Sequence, residues 1–285
     1  GAERRLAVRR RRDDLERGVE VAQVGRPEDH FREEPGQRRR LERDRLALAG
    51  SASPRLRHGD GLMSRLKGQL TDPLLSVVMP AYNEQETIEE IVRRVLAVAL
   101  RIELIVVDDG SKDRTREILG RLAQEFPIKV ILQPANAGKG AALRRGFQEV
   151  TGDLVVIQDA DLEYSPEEFP ELISLICEGR ADVVYGSRFL GRHRVFMFTH
   201  YAGNRFLTLV ANVLYNTMLT DMETCYKVMR TEVLRSMTLE SDGFGIEPEM
   251  TAKIFKRRYR VYEIPITYDG RGYEEGKKIT WLDGF

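Results

Sequence analysis

Cysteine is nearly absent. Cys177 and Cys225 are the only two and lie far apart, which excludes a disulfide framework or a cysteine zinc site and fits a reducing compartment. A surplus of charge is absent too: 45 basic residues balance 45 acidic ones over 285 positions. Nothing therefore argues for a polyanion, and no nucleic acid partner is expected. No apolar run reaches the roughly 18 residues of a membrane span. The charged N-terminus is not followed by an apolar segment, so no signal peptide is read there.

A second set of absences divides the chain. Phe31 is the only aromatic before Tyr82, no Ile precedes Ile88, and the first Lys is Lys67. Residues 1–70 are rich in Arg instead, with acids interleaved. Such a stretch buries too little apolar surface to offset its ordering entropy, and a disordered N-terminal extension is expected. The interleaved acids weigh against a basic arm for nucleic acid or membrane. Arg without Lys ahead of Met63, the first Met, adds the expectation that the extension is not native coding sequence. Residues 71–285 are expected to form a single domain.

Within that domain short apolar runs alternate with helical patterns. Strands are predicted over 75–79, 104–107, 130–132, 154–157 and 182–185. A helix after the first carries Ile88, Ile91, Val92, Val95 and Leu96 on one face; the second carries Ile118, Leu119, Leu122 and Phe126. Two capping boxes are expected, one at residues 83–86 and one with Ser165 as N-cap, Pro166 at the first helical position and Glu168 closing it. This rhythm predicts an α/β fold, a Rossmann-like, mostly parallel sheet with helices on both faces. Later come an amphipathic helix within 192–216, a strand near 226–229, a helix over 246–255 and an edge strand ending at Pro265. The amphipathic helix is either a core helix or one lying on a membrane surface with Arg192, His193, Arg194 and Arg205 near the headgroups.

Polar turns follow the strands and so converge on one edge: residues 80–84, 108–111, 159–161 and 186–188. Asp159 and Asp161, with only Ala160 between them, can both approach one hard cation through oxygen. Lys139, opening a helix, suits a phosphate. A carboxylate-held divalent ion beside it suits a diphosphate. A Walker A loop is excluded because Gln133 and Gly140 stand where Gly and Ser or Thr are required. No G-x-G-x-x-G follows the first strand, so no nicotinamide or flavin cofactor is expected.

The ordered segments SVVMPAYNE, ELIVVDDGS, GKGAALRRG, VVIQDADLEY and VVYGSRF resemble the inverting family-2 glycosyltransferases of the GT-A fold. Within them the chain looks like the polyprenyl- or dolichyl-phosphate sugar transferases, of the dolichyl-phosphate mannose synthase type. The resemblance implies a nucleoside-diphosphate sugar (GDP-mannose or UDP-glucose type) as donor, polyprenyl phosphate as acceptor, and Mg²⁺ or Mn²⁺ as cofactor. It implies that Pro80, Tyr82 and Glu84 line the nucleotide pocket and that Asp109, with Asp108, contacts the base. It places Asp161 on the metal and Asp159 nearer the ribose, sugar or metal. Arg188 would face the donor diphosphate or the acceptor phosphate, and the stretch from Asn204 and Arg205 to Thr208 would meet the lipid phosphate. Asp221 to Lys227 resembles the acceptor-side segment, with Cys225 where the family usually has Gly.

An anionic lipid phosphate needs no general base, whereas a sugar hydroxyl does. For a lipid phosphate, Arg188 with Arg205 or Lys227 would screen repulsion between two anions. For a hydroxyl in glycan synthesis, Asp221, Glu223 and Asp242 are the base candidates. A non-catalytic nucleotide-sugar-binding protein is the third reading. Residues 277–285 resemble the family's post-catalytic motif, so either a C-terminal membrane segment is missing or the protein is peripheral at the cytoplasmic face of the membrane; Trp281 beside Lys277 and Lys278 would suit such an interface. The resemblance leaves room for a homo-oligomer or a separate membrane subunit.

Overall fold

The structure, a computed structural model, describes residues 69–194 and 198–270. The expectations for residues 1–68 and for Lys277, Lys278 and Trp281 lie outside the described residues.

In chain order the elements are β1 (Leu74–Ala81), α1 (Ile88–Ala97), β2 (Arg101–Asp108), α2 (Thr115–Glu125), β3 (Lys129–Leu132), α3 (Lys139–Phe147) and β4 (Leu154–Ile157). A 3₁₀ turn (Pro166–Glu168) then runs into α4 (Phe169–Cys177), followed by β5 (Val183–Ser187), α5 (Phe198–Tyr215), β6 (Lys227–Arg230), α6 (Thr231–Arg235), α7 (Ile246–Lys256) and β7 (Val261–Pro265). The strands form one sheet in the order β3-β2-β1-β4-β6-β5-β7. Successive strand residues face opposite sides, yet every residue of β4 and β5 is buried. Both faces of the sheet are therefore covered, which is why these strands read as unbroken apolar runs.

The chain leaves β1 outward through β2 and β3, then returns to place β4 on the other side of β1. The crevice at the carboxyl ends of β1 and β4 is thus a topological switch point, where open α/β sheets bind ligands. β6 alone runs against its neighbours β4 and β5. Its first residue, Lys227, pairs with Tyr185 near the carboxyl end of β5, so the segment leading into β6 enters the same edge as the polar turns. β7 lies at the edge beside β5, as its terminal Pro265 suggests.

The α1 pattern is met: Ile88, Ile91, Val92 and Val95 are buried. Neither predicted capping box forms. Asn83 adopts φ 53° and its side chain accepts from the Lys112 amide at 2.8 Å, while Glu84 N–H donates to Thr115 Oγ1 at 2.8 Å. Tertiary stitching between the β1 and β2 turns has taken the groups a local cap would use. Likewise Ser165 makes no side-chain cap, and Glu168 Oε1 accepts from the Thr267 amide at 2.8 Å. The short helix α6 has no counterpart among the predicted elements. Leu70, at the predicted boundary, already donates its amide to Cys177 O at 2.9 Å.

Candidate active site

The turn after β2 is built around its two acids. Asp108 is fully buried; its Oδ2 takes Arg116 Nε at 2.6 Å and the Ser111 amide at 3.2 Å. Asp109 binds the loop before α3, accepting from Gln133 Nε2 at 2.8 Å, Ala137 N at 2.9 Å and Gly138 N at 2.8 Å. Burial raises the Asp109 pKa, and the two loop amides oppose that rise. Asp109 and one oxygen of Asp108 shape the turn, while Asp108 Oδ1 is buried without a hydrogen-bond partner among the described residues. Gly110 (φ 75°) and Gly138 (φ 100°) complete that fit: a Cβ would lie 2.4 Å from the Ala135 backbone in the first case and 2.4 Å from Asp242 O in the second, and the left-handed φ alone disfavours any other residue.

The Asp109-held loop delivers Lys139 to the crevice. Its Nζ lies 2.8 Å from Asp159 Oδ1 and 3.5 Å from Glu247 Oε1. Glu247 Oε2 in turn takes Lys227 Nζ at 2.5 Å. Four charges thus alternate in sign along a sheltered row. Burial works against the Lys139 charge, but Asp159 and Glu247 outweigh it and hold its pKa well above the ordinary range. Asp161, one residue past Ala160, accepts from the Glu163 amide at 3.2 Å, which orients its carboxylate. Pro80, in register with Val107 at the end of β1, and Tyr82 are half-buried on the β1 side of the crevice; Glu84 Oε2 accepts from Thr87 Oγ1 at 2.8 Å.

Arg188, just past β5, is clamped. Its Nε and Nη2 reach Asp221 Oδ2 and Oδ1 at 2.7 and 2.8 Å, and its amide reaches Oδ2 at 3.1 Å. The guanidinium lies 5.3 Å from the Tyr268 ring centre, within cation–π range. Burial disfavours the Asp221 charge, but Arg188 prevails and lowers its pKa. Glu263 fixes the clamp from behind, accepting from the Thr220 amide at 2.8 Å and the Asp221 amide at 3.1 Å. An acid so saturated is a poor proton acceptor; Asp221, a base candidate from the sequence, is here the partner that orients Arg188.

Residues 76–238 match the family model described as glycosyl transferase family 2. The chain belongs to this family. It is 34% identical over 210 residues to the dolichol-phosphate mannosyltransferase of Pyrococcus furiosus, covering 71% of this chain and 58% of that one. It is 31% identical over 209 residues to the undecaprenyl-phosphate 4-deoxy-4-formamido-L-arabinose transferase of Salmonella paratyphi A, covering 71% and 62%. The chain thus spans less than two thirds of either relative. Among solved structures it resembles glucosyl-3-phosphoglycerate synthase from Mycobacterium tuberculosis in complex with Mn²⁺, UDP and glucosyl-3-phosphoglycerate, with a TM-score of 0.58 and 23% identity over 75% of this chain and 78% of that one. That likeness is one of fold, and the GT-A expectation is met.

On the other side of this family-2 site, α5 carries the residues expected to meet the acceptor. Arg205 is exposed and donates to Thr220 O at 3.0 Å. Thr208 is buried: its hydroxyl accepts from the Met222 amide at 3.1 Å and donates to Asn204 Oδ1 at 3.3 Å, so it staples α5 to the segment that carries Asp221. Lys227, read as an acceptor contact or as a solvated strand residue, is not solvated: it is fully buried against Glu247 and Thr224 O.

Most large apolar residues of α5 point outward, whereas Leu207 and Tyr215 pack against the core. Phe206, Leu209, Val210, Val213 and Leu214 recur at helical spacing and are exposed, and Met218 beyond them is 93% exposed. The stripe that reads as a core face is the solvent face; Thr208 and Ala211 are the buried residues of the helix. The core-helix alternative is therefore corrected. Among the described residues no helix is long and apolar enough to cross a membrane.

Sequence reasoning missed Glu247 and Glu263. A signal for Glu247 existed: it falls with Met250, Thr251 and Ile254 on the buried face of α7, and an acid on an apolar stripe needs a partner. Glu263 carried no comparable mark.

Glu223 differs from the other base candidates. Asp242 is exposed and paired with Arg144, whereas Glu223 Oε1 is buried without a hydrogen-bond partner among the described residues. Burial raises its pKa from 4.5 to about 7, opposed by Lys227. The folded state therefore holds this proton more tightly than the unfolded chain, and stability present below about pH 4.5 is lost as pH rises through about 7. Glu223→Gln, which mimics the protonated form, is expected to match the parent near pH 5 and exceed it at pH 8 by about 1–3 kcal/mol. Urea unfolding at the two pH values measures this; an equal difference at both would rule it out.

Proposed function

We propose that this chain transfers a sugar from a nucleoside-diphosphate sugar to a polyprenyl phosphate, with inversion, at the cytoplasmic face of a membrane. The observation that carries this is the Asp159–Asp161 pair at the β1/β4 switch point with Lys139 against it. Among the described residues no cluster of three or more His, Cys, Asp or Glu could hold a metal by itself. A carboxylate pair that leaves remaining positions to diphosphate oxygens and water fits Mg²⁺ or Mn²⁺. The M. tuberculosis neighbour, solved in complex with Mn²⁺ and UDP, agrees with that. Asp161 and Asp159 would hold the ion, which when bound neutralises charge on the departing diphosphate.

The chain's own residues do the rest. The α3 N-terminus and Lys139 draw the diphosphate into the crevice. Pro80, Tyr82 and Glu84 line the nucleotide side. Arg188, oriented by Asp221, presents a cation where two anions must meet, so an already ionised acceptor phosphate can attack the anomeric carbon without a base. The names of the P. furiosus and Salmonella relatives, which include dolichol phosphate and undecaprenyl phosphate, point to that acceptor class. The outward apolar stripe of α5, with Arg192, His193, Arg194 and Arg205 exposed nearby, suits the membrane surface from which such a lipid would come.

The test is transfer of radiolabelled sugar from GDP-mannose or UDP-glucose to a short polyprenyl phosphate with Mn²⁺, scored as organic-extractable label. Label appearing only on a sugar hydroxyl acceptor would overturn the lipid reading. That second reading rests on Glu223, the one base candidate with a pKa of about 7. Under it Glu223→Gln abolishes transfer, and under the lipid reading it does not. Membrane contact is checked separately. Leu209→Ser, Val213→Ser and Leu214→Ser together are expected to leave folding intact, because all three are exposed, and to weaken co-sedimentation with anionic vesicles at least about tenfold, since each buried side chain contributes about 1.5–3 kcal/mol. Unchanged sedimentation would exclude α5 as the contact.

A further inference from the structure

Lys139 stands between two carboxylates and satisfies only one. Asp159 Oδ1 is at 2.8 Å, a full charge-assisted hydrogen bond, while Glu247 Oε1 is at 3.5 Å, beyond one. Glu247 Oε1 is buried and has no other hydrogen-bond partner among the described residues. The Glu247 side chain is only 4% exposed, so solvent has little access to it, and an unmet oxygen on a buried acid is costly. The other oxygen of Glu247 is already taken by Lys227. The row therefore holds one orphaned acceptor facing a cation that is bonded elsewhere, less than an ångström too far away.

Such an arrangement has two favourable states for one lysine. With Asp159 available, Lys139 neutralises it and so eases the repulsion between Asp159 and Asp161. If a divalent cation takes Asp159, Lys139 is repelled from that oxygen and has a buried, unsatisfied carboxylate waiting beside it. We propose that Lys139 is a two-position positioning residue, held on Asp159 in the donor-free protein and handed to Glu247 when a divalent cation occupies the Asp159–Asp161 pair. This rests on the reading of that pair as the metal-holding one. Its consequence is that the cation alone binds weakly, because it must first displace Lys139. Diphosphate and cation together bind well, because the diphosphate adds oxygen ligands and Lys139 stays in the crevice as a counter-charge. Glu247 is thereby given a purpose beyond structure: it receives the displaced lysine.

The experiment measures Mn²⁺ binding to the whole chain by the loss of the free-ion electron paramagnetic resonance signal, with and without UDP or GDP. Lys139→Met is expected to bind Mn²⁺ alone about tenfold more tightly than the parent, because the competing ion pair is gone. Glu247→Gln is expected to bind it several-fold more weakly, because the displaced lysine has nowhere to go. In the Lys139→Met background the Glu247→Gln change is expected to have no further effect. Equal weakening by Glu247→Gln in both backgrounds would mean that Glu247 acts only through its field, and would overturn the handoff. Unchanged Mn²⁺ affinity in Lys139→Met would overturn it as well, and that arm decides alone if Glu247→Gln fails to fold. Absence of Mn²⁺ binding to the parent even with nucleotide would remove the metal reading itself, a result distinct from the other two.

Discussion

Arg188→Ala is expected to destabilise the protein by about 3 kcal/mol or more and to eliminate sugar transfer. Asp221 has no solvent exposure in its side chain while Arg188 is 13% exposed, so removal of the guanidinium strands a buried carboxylate. Two side-chain contacts disappear, at 2.7 and 2.8 Å. What remains for Asp221 is the amide of residue 188 at 3.1 Å and Asn204 Nδ2 at 3.3 Å. These are polar but carry no net charge, and cannot replace an ion pair in a dry setting. Arg188→Lys is expected to recover part of the loss, since a lysine supplies charge without the fork that meets both carboxylate oxygens.

The double variant Arg188→Ala with Asp221→Ala is expected to be more stable than Arg188→Ala alone, because the stranded charge is then gone. Urea denaturation of the parent, the two single variants and the double variant measures the coupling directly. A double variant no more stable than Arg188→Ala would mean that the clamp contributes through packing against Tyr268 rather than through charge. Transfer activity would stay absent in the rescued double variant, which separates Arg188's part in the reaction from its part in folding.

Asp161→Ala is expected to remove the metal-dependent part of nucleotide binding and to lower transfer by about 10²–10³-fold, the scale seen when one electrostatic contact to a developing charge is deleted. Asp161 follows Asp159 by two residues in the turn after β4, so its loss removes one of the two oxygen donors of the pair. One contact of Asp161, with the Glu163 amide at 3.2 Å, is local, and the side chain is half-buried. A thermal melt of Asp161→Ala beside the parent separates lost folding from lost binding. Titration calorimetry with GDP and with UDP, each with and without Mn²⁺, reads the result and identifies the preferred base in the same series. Metal-dependent binding that persists in Asp161→Ala would move the cation elsewhere.

Much of this site is legible in the sequence because it is local. Asp159 and Asp161 end a strand of four consecutive apolar residues, and chain order alone places a strand end and the following turn together. Lys139 sits where a loop meets a helix, so its place at the carboxyl edge of the sheet follows from α/β construction. What is not legible is which partners come from far along the chain. Thr208 and Lys227 take ligand roles from their position within a motif, yet each has its polar atoms occupied, by Met222 and Asn204 in one case and Glu247 in the other. Asp108 and Asp109 have long-range partners as well: the turn is predictable, but the pairing of Asp108 Oδ2 with Arg116 and of Asp109 with the loop ahead of α3 is not.

By itself the sequence determined the alternation of strands and helices, the edge at which the turns gather, and the carboxylate pair at its centre, because periodicity and turn chemistry act over a few residues. Tertiary structure alone decided which charges face a ligand and which are spent on one another. It set β6 antiparallel between β4 and β5, which carries Lys227 inward to Glu247 and brings Asp221 onto Arg188. It also turned the apolar stripe of α5 outward, since burial depends on what packs against a helix and not on the pattern the helix carries.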